Sequence, residues 1–232
     1  NPDKETEEKI IRIIEEEIRQ AGISEKDRME YHYGGVATLK KGNEFKIAVD
    51  EDVYSGNQDI YELKMIPLAD YNKLEGCMVN LDEGEVLLYN PDRNAEKLGD
   101  RMQIAGDSFR VAEELDTFCL EEKNDSRIVG GYYVIVKDKA QIQKFLNAAY
   151  DRLSKEYDQL DEMNVQYKVC LDLEGEAKDC RRAEVAIEKR MKKEVTQSYC
   201  DGREVERELF YYTYGGLFFI GLYLGSMFLM AT

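Results

Sequence analysis

The chain has 232 residues, of which 43% are hydrophobic, enough to build one large domain or two small ones. Its 48 acidic and 32 basic side chains leave a net charge of −16. Such an acidic surface argues against nucleic acid as a partner, because phosphate binding needs a basic face. The five cysteines form no CxxC motif and the chain has one histidine, which argues against a zinc site.

The first predicted element is an amphipathic helix over residues 3–22. Its apolar side chains recur at i, i+4, i+8 and i+11 and are Ile10, Ile14, Ile18 and Ala21. Acidic residues occupy the first turn and Gly22 ends the helix. We expect residues 1–21 to form a stalk-like helix.

Strands dominate the next hundred residues. Residues 30–55 predict strands interrupted by glycines, and residues 61–76 predict a strand, Pro67 and a short helix over 68–74. The run EVLLY at 85–89 predicts a buried strand. Residues 99–116 predict a hairpin that turns at Gly106 and Asp107.

The second half alternates more clearly between strands and helices. It contains a strand over 126–138, a helix over 139–160, a strand over 164–175 and a helix over 183–195. This order predicts an α+β fold in which helices cover one face of a mixed or antiparallel sheet. We expect one domain over 1–208, with residues 203–208 as a return stalk.

The last segment, residues 209–232, carries no charge at all. At about 1.5 Å per residue it is long enough to cross roughly 30 Å of hydrocarbon, and its early tyrosines match an interfacial aromatic belt. It predicts a transmembrane helix, with a buried core helix as the alternative. Gly221 and Gly225 have the GxxxG spacing of a helix-packing face.

Catalytic and metal-binding motifs are missing from the sequence. His32 is the only histidine and is predicted to have a structural or surface role in a strand. The acidic stretch at 49–59 lacks the ligand spacing of a calcium loop. Cys170 and Cys180 flank a turn and are a possible disulfide, or else ordinary small apolar residues. We therefore expect no enzyme, no metal and no cofactor.

Two stretches resemble a known family. The tail YGGLFFIGLYLGSMFLMAT resembles the membrane span that follows the large extracellular domain in FtsX-like ABC transporter permeases of the bacitracin-export (Bce) type. The order IPLADYNKLEG, EGEVLLYN and GDRMQIAGDSFRVAEEL resembles the body of extracellular domains in that superfamily.

The resemblance implies a domain inserted between two membrane spans, with residues 1–208 outside the cell. Its implied function is ligand recognition and coupling in the transport, resistance or sensing of cell-wall-active peptide antibiotics. The implied partners are the membrane, an ATP-binding subunit, a sensor histidine kinase, and a cationic peptide antibiotic or its complex with a lipid carrier. The alternative is an FtsX-type scaffold that binds and activates a cell-wall hydrolase.

Overall fold

A computed structural model describes residues 3–49, 59–92, 97–120 and 130–231. The chain divides into two compact units. The first unit is Met29–Cys170, and the second combines Asp3–Arg28 with Leu171–Thr232. The N-terminal helix and the C-terminal segments thus belong to the same unit.

The described residues contain eight strands and five helices. The strands are β1 (Ser24–Lys41), β2 (Glu44–Ile47), β3 (Ile60–Pro67), β4 (Glu85–Tyr89), β5 (Arg101–Ile104), β6 (Asp107–Leu115), β7 (Gly130–Val136) and β8 (Gln166–Glu174). The helices are α1 (Lys4–Ala21), α2 (Leu68–Glu75), α3 (Lys139–Leu153), α4 (Ala177–Glu194) and α5 (Arg203–Ala231). The α+β class with a mixed sheet is confirmed.

The strands form one sheet in the order β2-β5-β6-β4-β7-β3-β1-β8. β2 also pairs with β1, so strands β1 to β7 form a closed ring of hydrogen-bonded neighbours. Three pairs are parallel, namely β3 with β7, β4 with β6 and β2 with β5. The predicted hairpin is β5–β6, which pairs Ile104 with Asp107.

Helices cover both faces of this sheet, so the prediction of helices on one face is wrong. On one face, Leu63 and Met65 of β3 belong to a core that includes Ile142 and Leu146 of α3. On the other face, Ile66 of β3 belongs to a core built with side chains of α2. Strands buried on both faces carry continuous apolar runs; in β4 all five residues are buried and the last four are apolar.

In the second unit, α1 packs against α4 with the two helices antiparallel. Lys9 Nζ donates to the Glu194 carbonyl at 2.6 Å, while Arg182 Nη2 donates to the Ala21 carbonyl at 2.9 Å. The predicted apolar stripe of α1 is buried at all four positions, so its prediction is confirmed. Arg190 Nη1 adds contacts to Glu16 and Glu17 at 2.8 and 2.9 Å.

Helix α5 also runs antiparallel to α4, and therefore parallel to α1. The Glu204 N–H donates to Glu184 at 3.0 Å, and Arg181 pairs with Glu208 one turn farther along. The start of α1 and the uncharged end of α5 consequently point in opposite directions along α4. The implied insertion of the domain between two membrane spans stays a prediction.

Helix α5 is continuous from the predicted return stalk into the uncharged run. Among the side chains that the structure describes, the large apolar ones from residue 209 onward are 48–80% exposed. Within the described ranges of the chain, the structure contains no helix with both the length and the apolarity needed to cross a membrane. The transmembrane helix predicted over 209–232 is not supported by this finding.

Gly34 does not interrupt β1, contrary to the predicted glycine break. Instead it allows close packing of β1 on α3, because a Cβ at Gly34 would lie 2.5 Å from Ile142 Cγ2 and 3.0 Å from Leu146 Cδ1. At the neighbouring Gly35, the nearest atom to an added Cβ would be at the flexible end of Glu62, at 3.3 Å, and the next atoms would lie at an ordinary 3.8 Å.

We expect Gly34→Ala to lower the free energy of unfolding by about 1–3 kcal/mol, because the added methyl forces α3 away from β1. Gly35→Ala is the matched control and is expected to change stability much less. Urea unfolding followed by far-ultraviolet circular dichroism measures both. Equal stability of the two variants would contradict the close approach.

Candidate functional site

The candidate site lies where the parallel strands β3 and β7 end. Their last paired residues are Pro67 and Val136, and α2 and α3 begin directly after them. His32 lies on β1 two residues before Gly34, which pairs with Met65, so His32 is level with the end of β3. The carboxyl ends of parallel strands lie at one edge of a sheet, so the residues that follow β3 and β7 come close together there.

His32 is held on one side by Asp70 in the first turn of α2. Its backbone N–H lies 2.6 Å from Asp70 Oδ2, and its ring Nδ1 lies 2.8 Å from the same oxygen. The imidazole side chain is only 7% exposed and the Asp70 side chain 17%. One carboxylate therefore fixes both the strand backbone and the ring.

Lys139, the first residue of α3, contacts the other ring nitrogen of His32. Its Nζ lies 2.7 Å from His32 Nε2. An ammonium group can only donate hydrogen bonds, so Nε2 must be the acceptor and Nδ1 must carry the proton that goes to Asp70. The arrangement thus selects a neutral imidazole in the Nδ1–H form.

A second polar layer lies over this group. The Tyr167 ring packs on the imidazole with 5.0 Å between ring centroids, and its hydroxyl donates to Glu30 Oε2 at 3.1 Å. Lys73 Nζ contacts the same Glu30 oxygen at 3.3 Å. We call His32, Asp70, Lys139, Tyr167, Glu30 and Lys73 the His32 cluster.

The His32 cluster contains the acid and the histidine of an acyl-transfer triad but not its nucleophile. Asp70 orients His32 as the acid of a triad orients its histidine, but Lys139 stands where such a triad has a hydroxyl or thiol. The imidazole cannot act as a base until the ammonium moves. The cluster instead presents two carboxylates and two ammonium groups, a pattern suited to binding a polar ligand.

A cleft of about 230 Å³ opens on the same edge of the sheet. It lies between the β5–β6 hairpin and α3, with an apolar floor that includes Met65, Val136 and Phe145. Lys144 Nζ and Asp107 Oδ2, 2.6 Å apart, form its polar rim. This volume is below the usual 300–1,000 Å³ of small-molecule pockets, so it fits one side chain of a larger ligand.

The cysteines form no disulfide, and the pKa values of three of their thiols are raised. All five are free, so the possible bridge between Cys170 and Cys180 is absent. Desolvation first, and then Glu75, raises the pKa of Cys119 to about 12. Desolvation likewise raises the pKa of Cys180 and of Cys200. These three thiols stay protonated at neutral pH and are poor nucleophiles.

The remaining predicted site residues lie elsewhere. Gly221 and Gly225 are both in α5, and no atom lies within 4 Å of the position that a Cβ on Gly221 would take, apart from the helix's own backbone. Most of the acidic stretch 49–59 lies outside the described residues. The part of the chain that is described contains no group of acidic, histidine or cysteine side chains able to hold a metal.

The sequence predicted a structural or surface role for His32, and its partners were not predicted. Asp70 and Lys139 are 38 and 107 residues away from it. One signal was present: both follow predicted strands at the start of predicted helices, and two parallel strands would bring those positions together.

No protein-family model, curated protein or solved structure matches the chain. The resemblance to Bce-type permeases therefore rests on the sequence stretches quoted above.

We expect the single histidine to be in the Nδ1–H form at neutral pH, which ¹⁵N NMR of the imidazole measures without overlap. Lys139→Met removes the donor to Nε2, so the imidazole is expected to populate both neutral tautomers. The substitution is also expected to lower the free energy of unfolding by about 1–3 kcal/mol. Lys137→Met, at an exposed position two residues earlier, is the control. An Nε2–H form in the unmodified chain would contradict the assignment.

Proposed function

We propose that the chain is a ligand-recognition domain held at a membrane by α5. The observation that carries the proposal is the exposed apolar surface of α5 from residue 209 onward, on a chain whose charges all precede that residue. Large exposed apolar patches mark surfaces that contact protein or lipid. An uncharged surface on all sides of one helix fits lipid best.

Recognition is assigned to the first unit. Its His32 cluster and the adjacent cleft lie at the sheet edge where parallel strands end, which is the usual position for a ligand. Asp70 and Glu30 supply negative charge there, and the chain as a whole carries −16. Lys73 and Lys139 balance these two carboxylates within the cluster, so it is the overall charge that favours a cationic ligand.

The resemblance extends this proposal to a specific system. We propose that the domain belongs to an ABC permease and takes part in transport, resistance or sensing of cationic, cell-wall-active peptide antibiotics, from the outer side of the cell membrane. An ATP-binding subunit and a sensor histidine kinase are its proposed partners. A peptide with a cationic side chain of suitable length would place that side chain near Glu30 and Asp70.

Membrane attachment is tested by vesicle flotation. We expect the unmodified chain to float with neutral phosphatidylcholine vesicles, and the double variant Phe218→Lys with Leu222→Lys to stay in the dense fraction. Lysine costs about 2.5–3.5 kcal/mol at the centre of a membrane helix, so binding should fall by far more than tenfold.

The control for flotation is the double variant Met78→Lys with Tyr199→Lys. These side chains are 95% and 84% exposed and lie outside α5, so the control makes the same change of charge without touching the helix. Equal flotation of the α5 variant and the control would show that α5 does not hold the chain at lipid.

Ligand recognition is tested by calorimetric titration of the full chain in nanodiscs with cationic peptide antibiotics at low and high salt. Glu30→Gln is expected to weaken a salt-resistant interaction about tenfold or more, because a charged hydrogen bond contributes about 1.5–3 kcal/mol. Asp161→Asn, an exposed acid of the same unit, is the control. Equal affinity of both variants would place recognition away from the His32 cluster.

A further inference from the structure

The second unit contains a cleft of about 430 Å³ between α4 and α5. One side is formed by the first two turns of α4 and the other by one face of α5. Its lining residues are Ala177, Lys178, Arg181, Glu204, Arg207, Glu208, Tyr211 and Tyr212. We call it the α4–α5 cleft; its volume lies within the usual range for a bound small molecule.

Three cationic side chains line this cleft and retain donors for a ligand. Lys178 is exposed and makes no hydrogen bond or ion pair with any residue that the structure describes. Arg181 contacts Glu208 through Nε alone, and Arg207 contacts Glu204 through Nη1 alone. Within the described chain, the other guanidinium N–H groups of both arginines have no protein acceptor.

The cleft lies at the boundary between the charged chain and its uncharged end. Arg207 and Glu208 are the last charged residues, and Tyr211 and Tyr212 are the first tyrosines of the uncharged run. If α5 enters lipid from residue 209, as in the proposed function, the cleft is at the depth of the headgroups. Tyrosine and basic side chains are enriched at that depth.

We propose that the α4–α5 cleft binds the headgroup of an anionic phospholipid, an inference that rests on the proposed membrane function. The phosphate contacts Lys178, Arg181 and Arg207, while the acyl chains follow the aromatic side of α5. Arginine suits this role because its planar set of donors matches phosphate oxygens. Glu204 and Glu208 accept hydrogen bonds from headgroup hydroxyls.

A second basic run lies on α4, namely KRMKKE at residues 189–194. Its Arg190 and Lys192 are paired with glutamates, and the run lies about 12–20 Å farther along α4 from the cleft. Lysines of this run are therefore suitable for control substitutions that change the charge of α4 away from the cleft.

The test compares flotation with vesicles of phosphatidylcholine alone and with vesicles containing about one third phosphatidylglycerol. For the full chain, we expect the anionic lipid to increase binding. The double variant Lys178→Gln with Arg181→Gln should lose about tenfold or more of that increase, because each cation strengthens binding to anionic lipid about fivefold. The variant should keep its binding to neutral vesicles. Lys189→Gln with Lys193→Gln should keep both.

Equal losses in the cleft variant and the control would overturn the proposal, because they would reflect net charge alone. Saturable binding of inorganic phosphate or glycerol 3-phosphate to the detergent-solubilised chain, as tight as that of the lipid, would also overturn it in favour of a soluble anion. Failure of the proposed function is separate. If the chain ignored neutral vesicles but bound anionic ones through Lys178 and Arg181, α5 would not be an apolar tether and the headgroup site would stand.

Discussion

The parallel pairing of β3 with β7 is the constraint on which the first unit depends. Both strands are buried on both faces, with Leu63 and Met65 in one core and Ile66 in the other. The one lysine of β3, Lys64, remains 8% exposed with its ammonium 5.2 Å from the Tyr133 ring centroid. Parallel strands need a long connection, and here α2, β4, β5 and β6 all lie between them. Because each strand is followed by a helix, the pairing also brings Asp70 and Lys139 to the two sides of His32.

Local sequence patterns predicted much of this fold. The stripe of α1, the short helix after Pro67, the buried run of β4 and the turn at Gly106 depend on residues close in the chain, and each is present in the structure. The patterns could not predict which strands are neighbours. They also misjudged Gly34, because a glycine that ends a strand and a glycine that admits a helix look alike in sequence. The His32 cluster could not be predicted for the same reason, since its contacts join residues far apart in the chain.

The prediction of helices on one face failed for a physical reason. A strand covered on one side alternates apolar and polar residues, whereas a strand covered on both sides does not. The runs EVLLY and YYVIV already indicated double coverage. The amphipathic helices, by contrast, have one apolar face each, as α1 shows by burying Ile13 and Ile14 while Arg12 and Glu15 are exposed.

The direction of the helices in the second unit limits how force can pass through it. Because α1 and α5 are parallel, a pull along α5 is resisted by its ion pairs to α4, such as Arg181 with Glu208, and then by the apolar contact of α4 with α1. Helix α1 therefore acts as a brace on α4 rather than as a second arm reaching toward the same surface as α5. In the proposed arrangement, α5 connects this unit to the membrane next to the α4–α5 cleft. In that arrangement, the lipid environment at the cleft acts directly on the contacts between α4 and α5, such as the pair of Arg181 with Glu208.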